Sequence, residues 1–330
     1  MHKFLWLIAN LLTGISIQAA DEILASSPFL NLTLDFSKFK STIESLLLNT
    51  SLSEKNCLIP SDAIMFSYTN QYTFPFISLQ HNAMDVGGIR ACLEQRFVNV
   101  CLDYGCTKLC KQEGIPNCIE LKLPHVPYGE HQSKRKTLEQ YSYSFITWLK
   151  HELMYEALKV AGQVIFFDAD VIVLRNPWPE TEFGRDQKGK PISGKYDVMY
   201  QRDLGLNYVN CAGSANTGIV YFRNSSRLYD NYFPLMFSKK NEIIISESGK
   251  LDQDYLGDFV DQSKLKYCTF PVAKMMGHCV SSRDRVFNPT KLITYHPNCV
   301  GGMKKKIRFM KAAMALAASN STISSRGDGI

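Results

Sequence analysis

Apolar residues along the chain fall into runs of different period. Ala63 to Tyr68, Phe97 to Leu102 and Ile119 to Leu123 are short and rich in aliphatic and aromatic side chains, the pattern of buried strands. Between them, Asp85 to Arg96 and Cys106 to Glu113 have helix-forming length. Thr137 to Val160 behaves differently: Leu138, Tyr141, Phe145, Trp148, Leu149, Leu153 and Leu158 recur at helical steps and make one buried stripe, which stops near Gly162. Directly after it, Val164 to Leu174 is apolar on both alternating faces except at Asp168 and Asp170. That predicts a central strand covered on both sides. Further strands are predicted over Tyr196–Gln201, Gly218–Phe222 and Lys291–Tyr295, and a helix opens at Asp252 with Tyr255, Leu256, Phe259 and Val260 on its apolar face. Strand, helix, strand repeated in this way predicts an α/β fold with a mostly parallel central sheet flanked by helices.

The ends read differently from the middle. Residues 1–20 carry His2 and Lys3, an apolar run from Phe4 to Ile17 and a closing Ala19-Ala20, the layout of a secretory signal peptide. Gln18 stands where a small residue is usual, so a short uncleaved anchor stays open, and a membrane partner is expected only in that case. Residues 21–61 are weakly periodic and read as a helical or partly ordered stem or lead-in, 62–311 as the folded domain, and 312–330, small and polar, as a disordered tail.

Composition narrows the class. With 330 residues, 45% apolar and 21% charged, the chain has material for a large core, which excludes intrinsic disorder and fibrous classes. A net charge of +6, from 37 basic against 31 acidic residues, is mild and spread out, so no nucleic-acid partner is expected. Ten cysteines and acceptor sequons at Asn31, Asn49, Asn224 and Asn320 fit an oxidising compartment: the secretory pathway, in the Golgi or endoplasmic reticulum lumen, or secretion. The group Cys101, Cys106, Cys110 and Cys118 admits disulfides or a zinc site, although it lacks a C-x-x-C knuckle and a nearby histidine. Pairing cannot be read from spacing.

Candidate chemistry centres on Asp168-Ala169-Asp170. Two carboxylates two residues apart lie on one side of the most apolar strand, and unpaired in a core they would cost several kcal/mol. At the carboxyl end of a strand in an open α/β sheet they would instead face a ligand crevice. Hard divalent cations prefer such oxygens and keep open positions for phosphates, so the pair reads as a Mn²⁺ or Mg²⁺ site holding a diphosphate. Pairing or capping by both aspartates is the structural alternative.

The run Val164 to Trp178 resembles the nucleotide-diphospho-sugar transferase family, which includes plant and protist α-xylosyl-, α-galactosyl- and arabinosyltransferases of the secretory pathway. Further motifs stand in that family's order: Ser67-Tyr68-Thr69-Asn70, Trp148-Leu149-Lys150, Asn216-Thr217-Gly218, Leu251-Asp252-Gln253-Asp254, and His296-Pro297-Asn298 followed by Gly302 and Lys306. The resemblance covers roughly Ala63 to Lys311. It implies a GT-A fold, with a Rossmann-like nucleotide-binding half and a more variable acceptor half. It further implies a UDP-sugar donor, a glycan or glycoprotein acceptor, a Mn²⁺ or Mg²⁺ cofactor and transfer with retention. On this resemblance Asp168, Asp170 and His296 hold the metal. Thr69, Asn70, Lys150, Asp168, Asn216, Gly302, Lys305 and Lys306 bind the nucleotide sugar, and Asp252 and Gln253 face the sugar as the catalytic pair. Three consecutive lysines leave open which one takes the phosphate, and Thr217 replaces the family's serine. Two other readings compete: a carbohydrate-binding protein of the same fold without turnover, and a metal phosphohydrolase. The latter needs more metal ligands than seven scattered histidines readily supply.

Overall fold

The computed structural model describes residues 34–48, 58–123, 136–179, 196–203, 215–246, 251–279 and 291–324. The signal segment, the sequons at Asn31 and Asn49, and Cys57 and Cys211 lie outside them. In chain order the elements are α1 (Ser37–Leu48), β1 (Ala63–Thr69), α2 (Phe74–Val86), β2 (Phe97–Cys101), α3 (Tyr104–Glu113), β3 (Cys118–Glu120), α4 (Lys136–Leu158), β4 (Gln163–Phe167) and β5 (Ile172–Val173). They continue with β6 (Val198–Arg202), β7 (Ala215–Arg223), α5 (Phe233–Ser246), α6 (Asp252–Gln262), β8 (Tyr267–Thr269), β9 (Met275–Gly277), β10 (Thr294–His296) and α7 (Met303–Ser324).

Seven strands form the main sheet in the order β3-β2-β1-β4-β7-β6-β8. The first four are parallel, β7 is antiparallel to both β4 and β6, and β8 is parallel to β6. Two antiparallel pairings in succession return β6 to the direction of β4. The carboxyl ends of β1, β4 and β6 and the amino end of β7 therefore meet at one edge of the sheet. Both faces of the sheet are covered, which is why its central strands carry no polar face. Phe66, Phe166 and Phe222 point into a core with Leu149, Leu153 and Tyr232, while their neighbours Met65, Ile165, Phe167 and Tyr221 point into a second core with Phe97 and Trp178. Each such fully buried Leu or Phe contributes about 1.5–3 kcal/mol of apolar burial.

The structure departs from the sequence expectations at three places. The strand expected over Val164–Leu174 is two strands in two sheets, because the chain turns at Asp168–Asp170, where Val171 N donates to Asp168 O at 3.0 Å. β5 then pairs antiparallel with β10, which also pairs with β9 in a three-stranded sheet. The helix expected over Asp85–Arg96 instead spans Phe74–Val86, followed by a short turn of helix at Arg90–Leu93; Pro75 in its first turn is preset for helical φ and gives up a donor that has no partner there anyway. As its weak helical period suggests, the lead-in contributes α1, whose Phe39 and Ile43 are buried, with Phe39 edge-on to Phe66 at 5.5 Å. The tail expected from residue 312 continues α7 to Ser324, and Ala313 is buried against the second sheet's cluster. The cysteine group forms the disulfides its even count and compartment favour, Cys101–Cys106 and Cys110–Cys118, and the zinc alternative falls away because sulfurs tied in disulfides offer no thiolate. A third disulfide joins Cys279 to Cys299, and Cys92 and Cys268 are also disulfide-bonded.

Candidate active site

A pocket of about 430 Å³ opens at the sheet edge where the carboxyl ends of β1, β4 and β6 meet. Most of the predicted site residues line it: Thr69, Asn70, Lys150, Asp168, Asp170, Asn216, Asp252, Gln253, His296 and Lys306. Gly302 and Lys305 are not part of its wall. Gly302, at φ +81°, takes the chain round the bend into α7, and Lys305 is exposed, so among the three lysines it is Lys306 that reaches the pocket.

The turn after β4 and the start of β10 build the first corner. Because β10 pairs with β5, His296 arrives beside the two aspartates despite its distance in sequence. Oxygen atoms of Asp168 and Asp170 and a ring nitrogen of His296 all lie within 4.8 Å of one another. His296 Nε2 is 3.3 Å from Asp170 Oδ1, and its Nδ1 is 2.8 Å from Gln201 Oε1. With Nδ1 donating to Gln201, Nε2 either donates to Asp170 as imidazolium or presents its lone pair to a cation as neutral imidazole. A β-bulge between Tyr200 and Gln201 shifts the β6–β7 register just where Gln201 turns to the histidine. Gly218 is required by close approach: a Cβ there would sit 2.3 Å from His296 Cε1. Lys306 Nζ bonds Asp170 Oδ2 at 2.5 Å. Burial pushes the Asp170 carboxyl up, but His296 and Lys306 outweigh it and hold the group well below the usual carboxylate range. Asp168 moves the other way: burial and the charges of Asp170 and Asp252 raise it against Lys150 and His296, although about a third of its side chain (32%) still meets solvent. Two carboxylates and an imidazole converging at this spacing form a donor set that suits a divalent cation.

The second corner lies under the start of α6. Asp252, 2% exposed, accepts from His151 Nε2 at 3.0 Å and pairs with Lys150 Nζ at 3.3 Å. It does not cap the helix. Asp254 does, accepting from Leu251 N at 2.8 Å. Lys150 also donates to Thr217 Oγ1 and O and stands 3.6 Å from Asp168, so it links the two corners. Burial raises the Asp252 carboxyl, and Lys150 and His151 together bring it below its ordinary value.

Sequence reasoning missed His151 and Asp203. Asp203 accepts from Asn298 Nδ2 at 2.8 Å, Asn216 Nδ2 at 3.3 Å and Gln253 Nε2 at 3.3 Å, joining three separate motifs; the Gln253 carbonyl in turn accepts from Thr217 N. Its signal is weaker than that of Asp168, because the polar Gln201 and Arg202 separate it from the apolar part of its strand. His151 had none, because a histidine on a buried helix face is usually a core residue.

A family model described as nucleotide-diphospho-sugar transferase matches residues 92–310, and the chain belongs to that family. It is a glycosyltransferase of the nucleotide-sugar type with a GT-A fold. Solved structures with similar coordinates include the galactosyltransferase LgtC in complex with donor and acceptor sugar analogs (14% identity, 78% of this chain and 95% of that one, TM-score 0.46). They also include a glycosyltransferase involved in glycosylation of the major capsid of PBCV-1 (12%, 76% and 98%, 0.41) and mouse xyloside xylosyltransferase 1 (12%, 73% and 99%, 0.40). No curated protein sequence matches the chain.

Proposed function

We propose that this chain is a metal-dependent glycosyltransferase of the secretory pathway that moves a sugar, with retention, from a UDP-sugar to a hydroxyl of a glycan or glycoprotein. The observation that carries this reading is the convergence of Asp168, Asp170 and His296 with Lys306 and Lys150 in a single pocket. In the reaction the bond from the anomeric carbon to the diphosphate breaks, UDP leaves with the electron pair, and the acceptor oxygen forms the new glycosidic bond as its proton passes to the departing diphosphate. Asp168, Asp170 and His296 would hold Mn²⁺ or Mg²⁺, which when bound would supply Lewis-acid stabilisation of the leaving diphosphate. Lys306 adds a positive charge beside it. Thr69 and Asn70, at the carboxyl end of β1, bind the nucleoside, and Asn70 is held for this by donation from Thr73 N to its Oδ1 at 3.0 Å. Asp252 accepts from donor-sugar hydroxyls, and Gln253, fixed at both ends of its amide, lies at the anomeric carbon.

Disulfides and the apolar N-terminal segment support the luminal assignment. Among the described residues no helix is long and apolar enough to cross a membrane. A screen of UDP-sugars for Mn²⁺-dependent hydrolysis tests the function and identifies the donor, and NMR of the product's anomeric configuration tests retention. Absence of hydrolysis with every UDP-sugar, together with absence of UDP binding, sinks the reading.

A further inference from the structure

His151 and Tyr232 stand behind the donor pocket without lining it. Both are buried, and each carries polar atoms that the aromatic core around them cannot satisfy. The imidazole lies against Trp148 and Phe222, and the phenol meets Phe222 and Phe233 edge-on, with ring centroids 5.4 Å away in both cases. Two hydrogen bonds answer this: His151 Nε2 is 3.0 Å from Asp252 Oδ2, and the Tyr232 hydroxyl is 3.3 Å from His151 Nδ1. Among the described residues the imidazole and the phenol have no other hydrogen-bond partner.

The order of these groups fixes where the protons sit. Asp252 is ionised and can only accept, so Nε2 carries a hydrogen. Lys150 already supplies the positive charge beside Asp252, and a second one on so buried a ring would be costly. In the neutral ring Nδ1 is a lone pair, and Tyr232 is the donor to it. Burial and the charge of Asp252 push the Tyr232 hydroxyl well above its ordinary range, so it keeps the proton that this bond needs.

The backbone aims the phenol. Leu228–Tyr232 form one turn of π-helix directly before α5, closed by a bond from Phe233 N to Leu228 O. Such turns are rare and geometrically looser than α-helical ones. Here the wide turn buries Leu228, Tyr232 and Phe233 together and brings the Tyr232 hydroxyl to the imidazole. On the far side of the imidazole, His151 and Lys150 both contact Oδ2 of Asp252. Two adjacent side chains of α4 thus hold one oxygen of the carboxylate, which turns Oδ1 away from that helix.

We propose that His151 and Tyr232 are positioning residues for Asp252: the phenol holds the imidazole in its Nε2–H form, and the imidazole holds the carboxylate so that Oδ1 receives a hydroxyl of the donor sugar. The inference rests on the donor reading given above. Neither residue reaches the substrate, so removing the Tyr232 hydroxyl leaves the pocket wall and the metal donors in place and changes only the aim of Asp252.

Three variants test it: Tyr232→Phe, which keeps the ring, His151→Phe, and His151→Gln, whose amide N–H can still donate to Asp252. Nitrogen-15 NMR of the histidine side chains in the unliganded protein reads the tautomer, calorimetry with UDP and Mg²⁺ reads nucleotide binding, and hydrolysis of the UDP-sugars in the screen above reads turnover. The expected spectrum has one imidazole protonated at Nε2 alone, whose signals are absent from His151→Gln and whose Nδ1 resonance moves in Tyr232→Phe. Tyr232→Phe should lower kcat fivefold or more with UDP affinity within twofold of the wild type, and His151→Gln should turn over at least threefold faster than His151→Phe. An Nδ1–H or doubly protonated ring, wild-type turnover in Tyr232→Phe, or UDP affinity falling in step with turnover overturns the proposal. Absence of UDP-sugar hydrolysis by the wild type also overturns it, and whether UDP still binds then tells whether the donor reading has failed too.

Discussion

Asp170 and Asp252 sit in two corners of one pocket, and each is held by one lysine and one histidine. At Asp170 the partners are His296 and Lys306, both from the C-terminal part of the chain, and Lys306 is 27% exposed. At Asp252 they are Lys150 and His151, neighbours on α4 with 3% and 1% of their side chains exposed, and His151 is backed by the Tyr232 hydroxyl at 3.3 Å. The same three residue types thus do different things. In the Asp170 corner the lysine is partly exposed and can withdraw into solvent, which leaves Asp170 and His296 as donors to a divalent cation. In the Asp252 corner no charge can leave without stranding another in a low-dielectric interior, so the carboxylate is fixed as a hydrogen-bond acceptor.

The contrast predicts its largest effect in stability. Lys150→Met leaves Asp252 buried without its lysine and should cost about 3–5 kcal/mol in urea unfolding, whereas Lys306→Ala should cost under about 1 kcal/mol because Lys306 is partly exposed and His296 stays beside Asp170. Equal losses would erase the difference between the corners. Next, Asp170→Ala should fold but bind UDP in the presence of Mn²⁺ at least a hundredfold more weakly, about 2.7 kcal/mol. Calorimetry with and without Mn²⁺ checks this, and unchanged affinity removes Asp170 from the metal site.

Asp252→Asn should keep UDP affinity within about threefold but lower turnover about tenfold, 1.4 kcal/mol of barrier. A loss of UDP binding with unchanged turnover would reverse the roles assigned to the corners. The smallest effect is on acid stability. Asp170 and Asp252 both have carboxyls lowered from an ordinary 3.8. As pH falls, the unfolded chain takes up these protons first. Their stabilisation is therefore complete above about pH 4 and is lost as pH drops through the lower folded values. Urea midpoints at pH 6, 4 and 3 should fall toward acid, with a shallower fall in Asp252→Asn.

Some of this was open to reading from local pattern. β1, β2 and the stripe on α4 follow from hydrophobic period alone, and Asp168 and Asp170 stood out because carboxylates inside an apolar run require a partner or a cleft. The break between β4 and β5 was not readable. Val164 to Phe167 and Val171 to Leu174 are equally apolar, and only the separate pairings of β4 with β1 and β7, and of β5 with β10, divide them. Lys306 could not be separated from Lys304 and Lys305 because the choice depends on which turn of α7 faces the pocket. The weak helical period of the lead-in hinted at α1, but its place is set by the sheet it covers.

By itself the amino-acid order determined which segments are apolar and with what period, where the buried carboxylates lie, and, through the order of its motifs, the family. These are local properties, or matches made one motif at a time, and they need no knowledge of what packs against what. The tertiary structure decided that β10 returns beside β5 and brings His296 to the aspartates, that Lys150 and His151 close around Asp252, that Asp203 ties three motifs together, and that Tyr232 stands behind His151. Each of these depends on strand order and helix docking, which are fixed by the burial of two whole sheet faces and leave no mark on the few residues that end up in contact.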